Sequence, residues 1–404
     1  MSAFSLDEFI AKHVIGRDES LFEADLAAHD AELRAAVEGR SALVIGGAGT
    51  IGSSFIRALL AYRPARLVVV DLNENGLTEL TRDLRSREGQ YVPDDYKTYP
   101  ISFGDPVFER MFRREGPFDI VAHFAAHKHV RSEKDRYSIE AMLENNVMNT
   151  VTLLDLLLDL PPQHFFCVST DKAANPANVM GASKKLMEEA VLAYSEQLPA
   201  VTARFANVAF SNGSLPAGFL ERIAKNQPLS APHDVRRYFV SPEESGQLCL
   251  LACLTGRPAD IFFPQLDEPR MLTFSTIADA LLRDLGFEPD YCASEDEARH
   301  KAATRAADDP TWPVYYFASE TSGEKSFEEF YTDTETVDLG SFAALGVVKG
   351  SPVNTVAGIR STIDGLRAMF AEPELPKQAI VDALATLVPS FQHVETGKSL
   401  DQKM

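Results

Sequence analysis

Thr170, Asp171 and Lys172 place a hydroxyl, a carboxylate and an amine on consecutive residues, directly after Ser169 and the apolar run His164 to Val168. Met180 and Lys184 follow, four residues apart, a spacing that puts them on one face of a helix. An acid, a base and a second lysine gathered at one ligand can move protons, whereas the same charges on an open surface would only pair with each other. Their place along a strand decides between the two, because ligands of a parallel sheet collect at the carboxyl ends of its strands.

A second group of residues suits an anion. Gly46-Gly47-Ala48-Gly49-Thr50-Ile51-Gly52 follows Ala42 to Ile45 and precedes the helical run Ser53 to Ala61. Glycines at 46, 49 and 52 permit a tight turn and let a pyrophosphate approach backbone N–H groups at a helix N-terminus. The next apolar run, Leu67 to Val70, ends in Asp71, which lies 71 − 52 = 19 residues past the last glycine. A carboxylate there accepts from the ribose hydroxyls of NAD and repels the extra phosphate of NADP. The expected NAD ligands in this stretch are Gly46, Ala48, Gly49, Thr50, Ile51, Gly52, Asp71 and Asn73. Asp105, before Pro106, either accepts from an adenine amine or serves as a turn residue. Ala125 and Ala126 end another run with side chains small enough for a cofactor to cross the backbone, or for ordinary close packing.

Strands must carry these groups. The runs at Ala42 to Gly47, Ala65 to Asp71, Asp119 to Ala126 and His164 to Thr170 read as strands separated by amphipathic helical patterns. That alternation predicts an α/β fold with a Rossmann-like doubly wound parallel sheet. Residues 1–40 read as a helical extension, with Phe9, Ile10, Val14, Leu21, Leu26 and Leu33 at helical spacing and Gly39 as a stop. A dinucleotide-binding domain is expected over 41–260, contributing parts of a substrate cleft from about Asn207, where glycines and prolines loosen the pattern. A smaller substrate lobe and a C-terminal helical extension are expected over 261–404. Helices are expected near Glu243 to Thr255, Ser275 to Leu285, Val356 to Phe370 and Lys377 to Leu387, and a solvated connection over Asp290 to Asp309.

Composition removes several classes of function. Lys plus Arg total 39 against 59 Asp plus Glu, a formal charge of −20, so a nucleic-acid backbone is not an expected partner. Four cysteines without paired spacing make neither a disulfide framework nor a zinc site, and point to a reducing cytoplasm. Cys249 and Cys253 read as buried thiols on one helix face. His123, His127 and His129 have no accompanying Cys or carboxylate cluster, so no metal is expected. Asp7 and Glu8 stand where a signal peptide would be basic, and no run approaches a membrane span.

Across residues 40 to 260 the chain resembles the extended short-chain dehydrogenases/reductases, and within them the nucleotide-sugar 4,6-dehydratases of bacterial polysaccharide biosynthesis. The strings that carry the resemblance are Gly46 to Gly52, Lys128-His129-Val130, Asn145-Asn146-Val147, Ser169 to Lys172, Asn175-Pro176, Arg204 to Val208 and Arg237-Tyr238-Phe239. Further matching pieces lie at Gly323 to Glu329 and Glu395 to Met404.

The resemblance implies a redox-neutral loss of water from an NDP-N-acetylglucosamine, UDP-GlcNAc or GDP-GlcNAc, with tightly held NAD as hydride carrier. Lys172 would remove the proton on sugar carbon 5, Asp171 would assist departure of the carbon 6 hydroxyl, and Thr170 would bond the carbon 4 oxygen. Lys184 would hold the nicotinamide ribose, with Asn146 fixing that lysine. Met180 replaces the tyrosine usual in the superfamily, and the branch that carries Met there keeps the configuration at carbon 5. Lys128, His129, Asn207 and Arg237 would contact the nucleotide diphosphate or sugar. A homodimer or higher homo-oligomer is expected. A 4-epimerase on the same fold and a non-catalytic NAD- or nucleotide-sugar-binding regulator are the alternatives.

Overall fold

Apolar runs rich in Val, Ile and Phe become the buried strands of one large sheet. The computed structural model describes residues 4–129, 133–319, 325, 327 and 329–394. Val130, most of the stretch 323–329 and the tail 395–404 lie outside the described residues. The strands are β1 (Ser41–Ile45), β2 (Arg66–Val70), β3 (Asp95–Tyr99), β4 (Ile120–His123), β5 (His164–Val168) and β6 (Ala200–Ala203). Together with Asp260–Pro264 they run parallel in the order β3-β2-β1-β4-β5-β6-(260–264). Central strands lose both faces to helices, which is why β1 and β2 read as unbroken apolar runs with no alternation.

Strand order reverses between β1 and β4, whose ends are in register, Ile45 opposite His123. A crevice opens there beyond the carboxyl ends. One apolar core lies on each side of the sheet, and a third, around Phe219, Trp312 and Ile277, fills a smaller lobe. That lobe has its own parallel sheet of Leu229–Pro232, Thr311–Phe317 and Glu288–Tyr291.

Chain ends behave differently from their sequence pattern. After the small lobe the chain returns to the large sheet: Leu345–Lys349 pairs antiparallel with Asp260–Pro264, and Val337–Asp338 extends the edge. The helices Val356–Phe370 and Lys377–Leu387 then bury Ile359, Ile363, Leu366, Ile380 and Leu384 in the same core as Met187 and Val191. Much of 261–404 is therefore part of the large-sheet layers. The N-terminal stretch is likewise woven in, with Phe9, Ile10 and Val14 in the small-lobe core and Phe22, Leu33 and Val37 in a sheet core.

Asp290 to Asp309 is not a solvated connection: it holds the end of a strand and a helix, Glu295–Thr304. Its charge is a helix signal, since Ser294 caps the helix and Glu295, Asp296 and Glu297 sit at the positive end of its dipole. The prolines that loosen the pattern after Asn207 also start helices, Pro216 and Pro242 each standing in a first turn, the latter with a Ser241/Glu244 capping box. Cys249 and Cys253 are buried and unpaired on the helix Pro242–Thr255, with their thiols pushed up by burial.

Candidate active site

The glycine loop closes the end of β1 against the end of β4. Gly46 has φ +79°, and a Cβ there would stand 2.4 Å from the Ala125 nitrogen, so only glycine fits. A Cβ on Gly52 would lie 2.3 Å from the Gly46 oxygen, which lets the helix Thr50–Leu60 begin on top of the loop. Gly49 is different. The nearest protein atom to its Cβ position is 3.4 Å away, so packing does not demand a glycine, and its bare backbone starts a helix with no side-chain cap. First-turn N–H groups left in this way suit a pyrophosphate.

Asp71 ends β2 with both oxygens anchored: Oδ2 accepts from the Ala48 N–H at 2.9 Å and Oδ1 from the Asn73 N–H at 2.9 Å. A carboxylate has lone pairs beyond these two bonds, so the fixed group can still accept from a ribose. Asn73 itself caps the helix Glu74–Ser86 through the Gly76 N–H, 2.9 Å, which ties its side chain to the helix. The crevice is lined by this loop, Asp71, Leu72, Ile101 to Phe103, Phe124 to Lys128 and Asn145. Asp105 is not among them: it is exposed at the start of the helix Pro106–Glu115. The sequence assigns no cofactor role to Leu72, Ile101, Ser102, Phe103 or Asn145: Asn145 enters only in a matching string, and after β3 the expected ligand is Asp105 instead of residues 101–103.

At the end of β5, Thr170, Asp171 and Lys172 form one hydrogen-bonded unit. Asp171 Oδ1 accepts from Thr170 Oγ1 at 2.8 Å, from the Lys172 N–H at 2.9 Å and from Lys172 Nζ at 3.1 Å. Asp171 is buried and Lys172 partly so. The carboxylate and amine thus stand within proton-transfer distance at a strand end, on a turn, Asp171–Ala173, that Thr170 caps.

Met180 and Lys184 share a face of the helix Val179–Tyr194, but that face is packed. Met180 is 3% exposed and belongs to the apolar core, so its side chain serves packing. Lys184 is 4% exposed, and its Nζ donates to the Val168 carbonyl at 3.0 Å, fastening the helix to the end of β5. Burial lowers its pKa, against the pull of Cys167 and Glu188. No hydrogen bond joins Asn146 to Lys184. Its amide holds the His127 backbone at both ends, N–H at 2.8 Å and C=O at 2.9 Å, and donates to Ser183 Oγ at 3.1 Å. The residue that fixes the crevice wall to the lysine's helix is thus Ser183, the neighbour of Lys184, and the π-helical turn Glu144–Met148 carries Asn146. His123, the last residue of β4, is buried, with its pKa lowered to about 3 by burial first and then by Lys184.

The four expected substrate ligands are held by different segments. Lys128 Nζ donates to the Asn212 carbonyl at 2.9 Å; the residue is exposed, yet enough protein surrounds its ammonium for burial to lower its pKa. The Asn212 N–H donates to Thr50 Oγ1 at 2.9 Å, so the 211–213 loop bridges the glycine loop and Lys128. His129 borders the same loop at Gly213. Asn207, on the strand Asn207–Val208, has a buried Nδ2 with no hydrogen-bond partner among the described residues, a donor with capacity for a ligand. Arg237 is buried, its guanidinium donating to the carbonyls of Arg236 and Lys325 at 2.9 and 3.0 Å. Among the described residues no group of three or more His, Cys, Asp or Glu side chains could hold a metal.

Behind the acid–base unit lies a buried ionic network. Ser169 Oγ donates to Glu188 Oε1 at 2.6 Å, and the wholly buried Arg204 grips both Glu188 oxygens at 3.0 and 2.9 Å and both Glu335 oxygens at 2.8 and 2.7 Å. Burial alone would raise the Glu188 carboxyl; the Arg204 charge and hydrogen bonds outweigh it and hold the group below its ordinary value. The network locks Ser169, one residue before Thr170.

Residues 42–348 match the polysaccharide biosynthesis protein family. The chain belongs to that family. A Methanocaldococcus jannaschii protein named an uncharacterised membrane protein is 30% identical over 62% of this chain and 74% of its own. The capsular polysaccharide biosynthesis protein CapD of Staphylococcus aureus is 28% identical over 66% of this chain, which spans only 43% of CapD. A UDP-N-acetylglucosamine 4,6-dehydratase (inverting) of Campylobacter jejuni is 25% identical over 61% of this chain and 72% of its own. A UDP-glucose 4-epimerase of Rickettsia typhi is 27% identical over 61% and 71%. The family thus joins nucleotide-sugar dehydratases and epimerases. The fold is shared with Pen from Bacillus thuringiensis, TM-score 0.63 and 19% identity over 79% of this chain and 89% of that one. It is also shared with the dTDP-glucose 4,6-dehydratase DesIV of Streptomyces venezuelae, solved with NAD bound, TM-score 0.54 and 22% identity over 72% and 87%.

Proposed function

We propose that the chain is an NAD-dependent NDP-N-acetylglucosamine 4,6-dehydratase, a hydro-lyase that forms a 4-keto-6-deoxy sugar, with UDP-GlcNAc ahead of GDP-GlcNAc as substrate. The observation that carries this reading is the Thr170–Asp171–Lys172 unit at the end of β5. NAD would lie along the glycine loop, its ribose at Asp71, and when bound it supplies a hydride acceptor that later returns the hydride. The residues fit such a group: Gly46 and Gly52 are forced by packing, while Gly49 and the anchored Asp71 offer backbone and carboxylate to the ligand.

Each step falls to a side chain already in place. As carbon 4 is oxidised, its hydroxyl proton needs an acceptor, and Met180 has none to offer. Lys184 is occupied with the Val168 carbonyl, and Thr170 donates to Asp171, which leaves the Asp171 carboxylate to take the proton. A 4-keto group then acidifies carbon 5, and Lys172, as a neutral amine, removes that proton and later returns it to the same face of carbon 5 as carbon 6 is reduced, so the configuration is kept. Protonated Asp171 next gives its proton to the carbon 6 hydroxyl, which departs as water. Asn207, with its unmet buried donor, and Lys128 would bond the diphosphate or sugar. The four free, buried cysteines agree with a reducing cytoplasm.

Incubation with UDP-GlcNAc and with GDP-GlcNAc, followed by mass spectrometry, tests the reading: loss of one water from either is expected. The epimerase reading, favoured by the epimerases among the relatives, predicts an unchanged mass with an inverted carbon 4 by NMR. Tight binding without any change would identify a regulator.

A further inference from the structure

The loop 174–178 joins the Asp171–Ala173 turn to the helix Val179–Tyr194. It therefore sets where Asp171 and Lys172 stand relative to Lys184. Its backbone is held from outside by the far C-terminal stretch: the Gln392 N–H donates to the Pro176 carbonyl at 3.0 Å and the Val394 N–H to the Ala177 carbonyl at 3.2 Å. Phe391, buried in the core below, anchors that stretch. From the other side, Glu133 Oε2 accepts from the Val179 N–H at 2.6 Å, a carboxylate capping the positive end of the helix.

Glu133 and His393 also face each other. Glu133 Oε1 and His393 Nε2 are shut off from solvent, have no hydrogen-bond partner among the described residues and stand 3.8 Å apart. That distance is too long for a hydrogen bond and short enough for a charge pair. A small approach of the C-terminal stretch would complete the contact.

We infer that residues 391–394 and Glu133 form a strap that positions the acid–base loop, with Glu133 and His393 as positioning residues. Neither is assigned contact with substrate or cofactor. The strap holds the loop backbone, and thus the separation of Asp171 and Lys172 from the helix of Lys184, and displacement of reacting groups by about 1 Å costs about 100-fold in rate. The kinetic arm of its test rests on the dehydratase reading; the exchange arm does not.

The test compares wild type with Glu133→Ala, Glu133→Gln and His393→Ala in the full-length protein. Hydrogen exchange is expected to quicken about tenfold across 174–182 in Glu133→Ala, as expected for loss of a charged acceptor, with β1 and β5 unchanged and Glu133→Gln close to wild type. In turnover, Glu133→Ala should lose about 10- to 100-fold in kcat with KM changed less than about threefold, His393→Ala should lose less, and Gln at 133 should restore the rate. Unchanged exchange in Glu133→Ala, or exchange that rises equally in β1 and β5, overturns the strap, as does a loss confined to KM. If the wild type converts no nucleotide sugar, the dehydratase reading falls, and the exchange data still decide the strap.

Discussion

A single oxygen, Asp171 Oδ1, collects a hydroxyl, a backbone N–H and the side-chain amine of Lys172. Oδ2 carries no hydrogen bond among the described residues, so a substrate hydroxyl has a place to donate. Asp171→Asn, nearly isosteric but unable to take a proton, should prevent even the rise in near-ultraviolet absorbance of reduced nicotinamide. Lys172→Ala should allow that rise but block water loss, since the carbon 5 proton that Lys172 accepts is removed only after oxidation. Rapid nicotinamide reduction in Asp171→Asn would assign the first proton to another group, and dehydrated product from Lys172→Ala at the wild-type rate would remove Lys172 from the chemistry. Met180→Ala separates packing from catalysis. Its side chain lies in the core, so the variant should lose about 2–5 kcal/mol of stability in urea unfolding while retaining measurable turnover in its folded fraction.

At the scale of elements, the end of β5 and the helix Val179–Tyr194 are joined by the Lys184–Val168 bond and by Glu188, whose partner Arg204 follows β6. Glu188 is lower in pKa in the folded chain than its ordinary value of 4.5. The unfolded chain therefore binds its proton first as acid is added. The stability it contributes is complete above about pH 4.5 and drains away as pH falls toward the folded value. Arg204→Met leaves the buried Glu188 with Lys185, 3.8 Å away, as its remaining cation, and should cost about 3–5 kcal/mol at neutral pH. In that variant the sign reverses: with the Arg204 charge gone, burial outweighs Lys185 and Ser169 and favours the protonated carboxyl, so acid should narrow the gap to wild type. Urea midpoints at pH 7 and pH 4 measure both; a gap independent of pH would mean that Glu188 is not the group left unpaired.

For the whole molecule, the return of 337–391 to the large sheet makes that stretch inseparable from the large-sheet layers. A chain ended at residue 335 would uncover the edge of Asp260–Pro264, with Phe262 and Phe263 beside it, together with the core surface now covered by the two C-terminal helices. Open apolar edges pair with other chains, so the shortened protein should elute as aggregates in size-exclusion chromatography. A monodisperse, folded product would show that the sheet is complete without its antiparallel edge. Cofactor choice also belongs at this scale, because β1, β2 and the glycine loop together fix Asp71. Nucleotide released by denaturing the purified protein should be NAD, and a majority of NADP would refute the role given to Asp71.

The strands Ser41–Ile45, Arg66–Val70, Ile120–His123 and His164–Val168 were legible in the chain within a few residues at their ends, and so was the glycine loop. The reason is local: a doubly buried strand must be apolar throughout, and positive φ at Gly46 admits little but glycine. The order Thr170-Asp171-Lys172 at a strand end follows from the same locality. Tertiary structure alone decided where long side chains went. Lys184 reaches the Val168 carbonyl, Asn146 passes it by for His127 and Ser183, and Met180 turns into the core. It also decided that Arg204 would meet Glu188 and Glu335, and that the tail would lie along residues 176 and 177. Such contacts join residues far apart in the chain and leave no period or spacing behind, because their partners are chosen by packing in three dimensions.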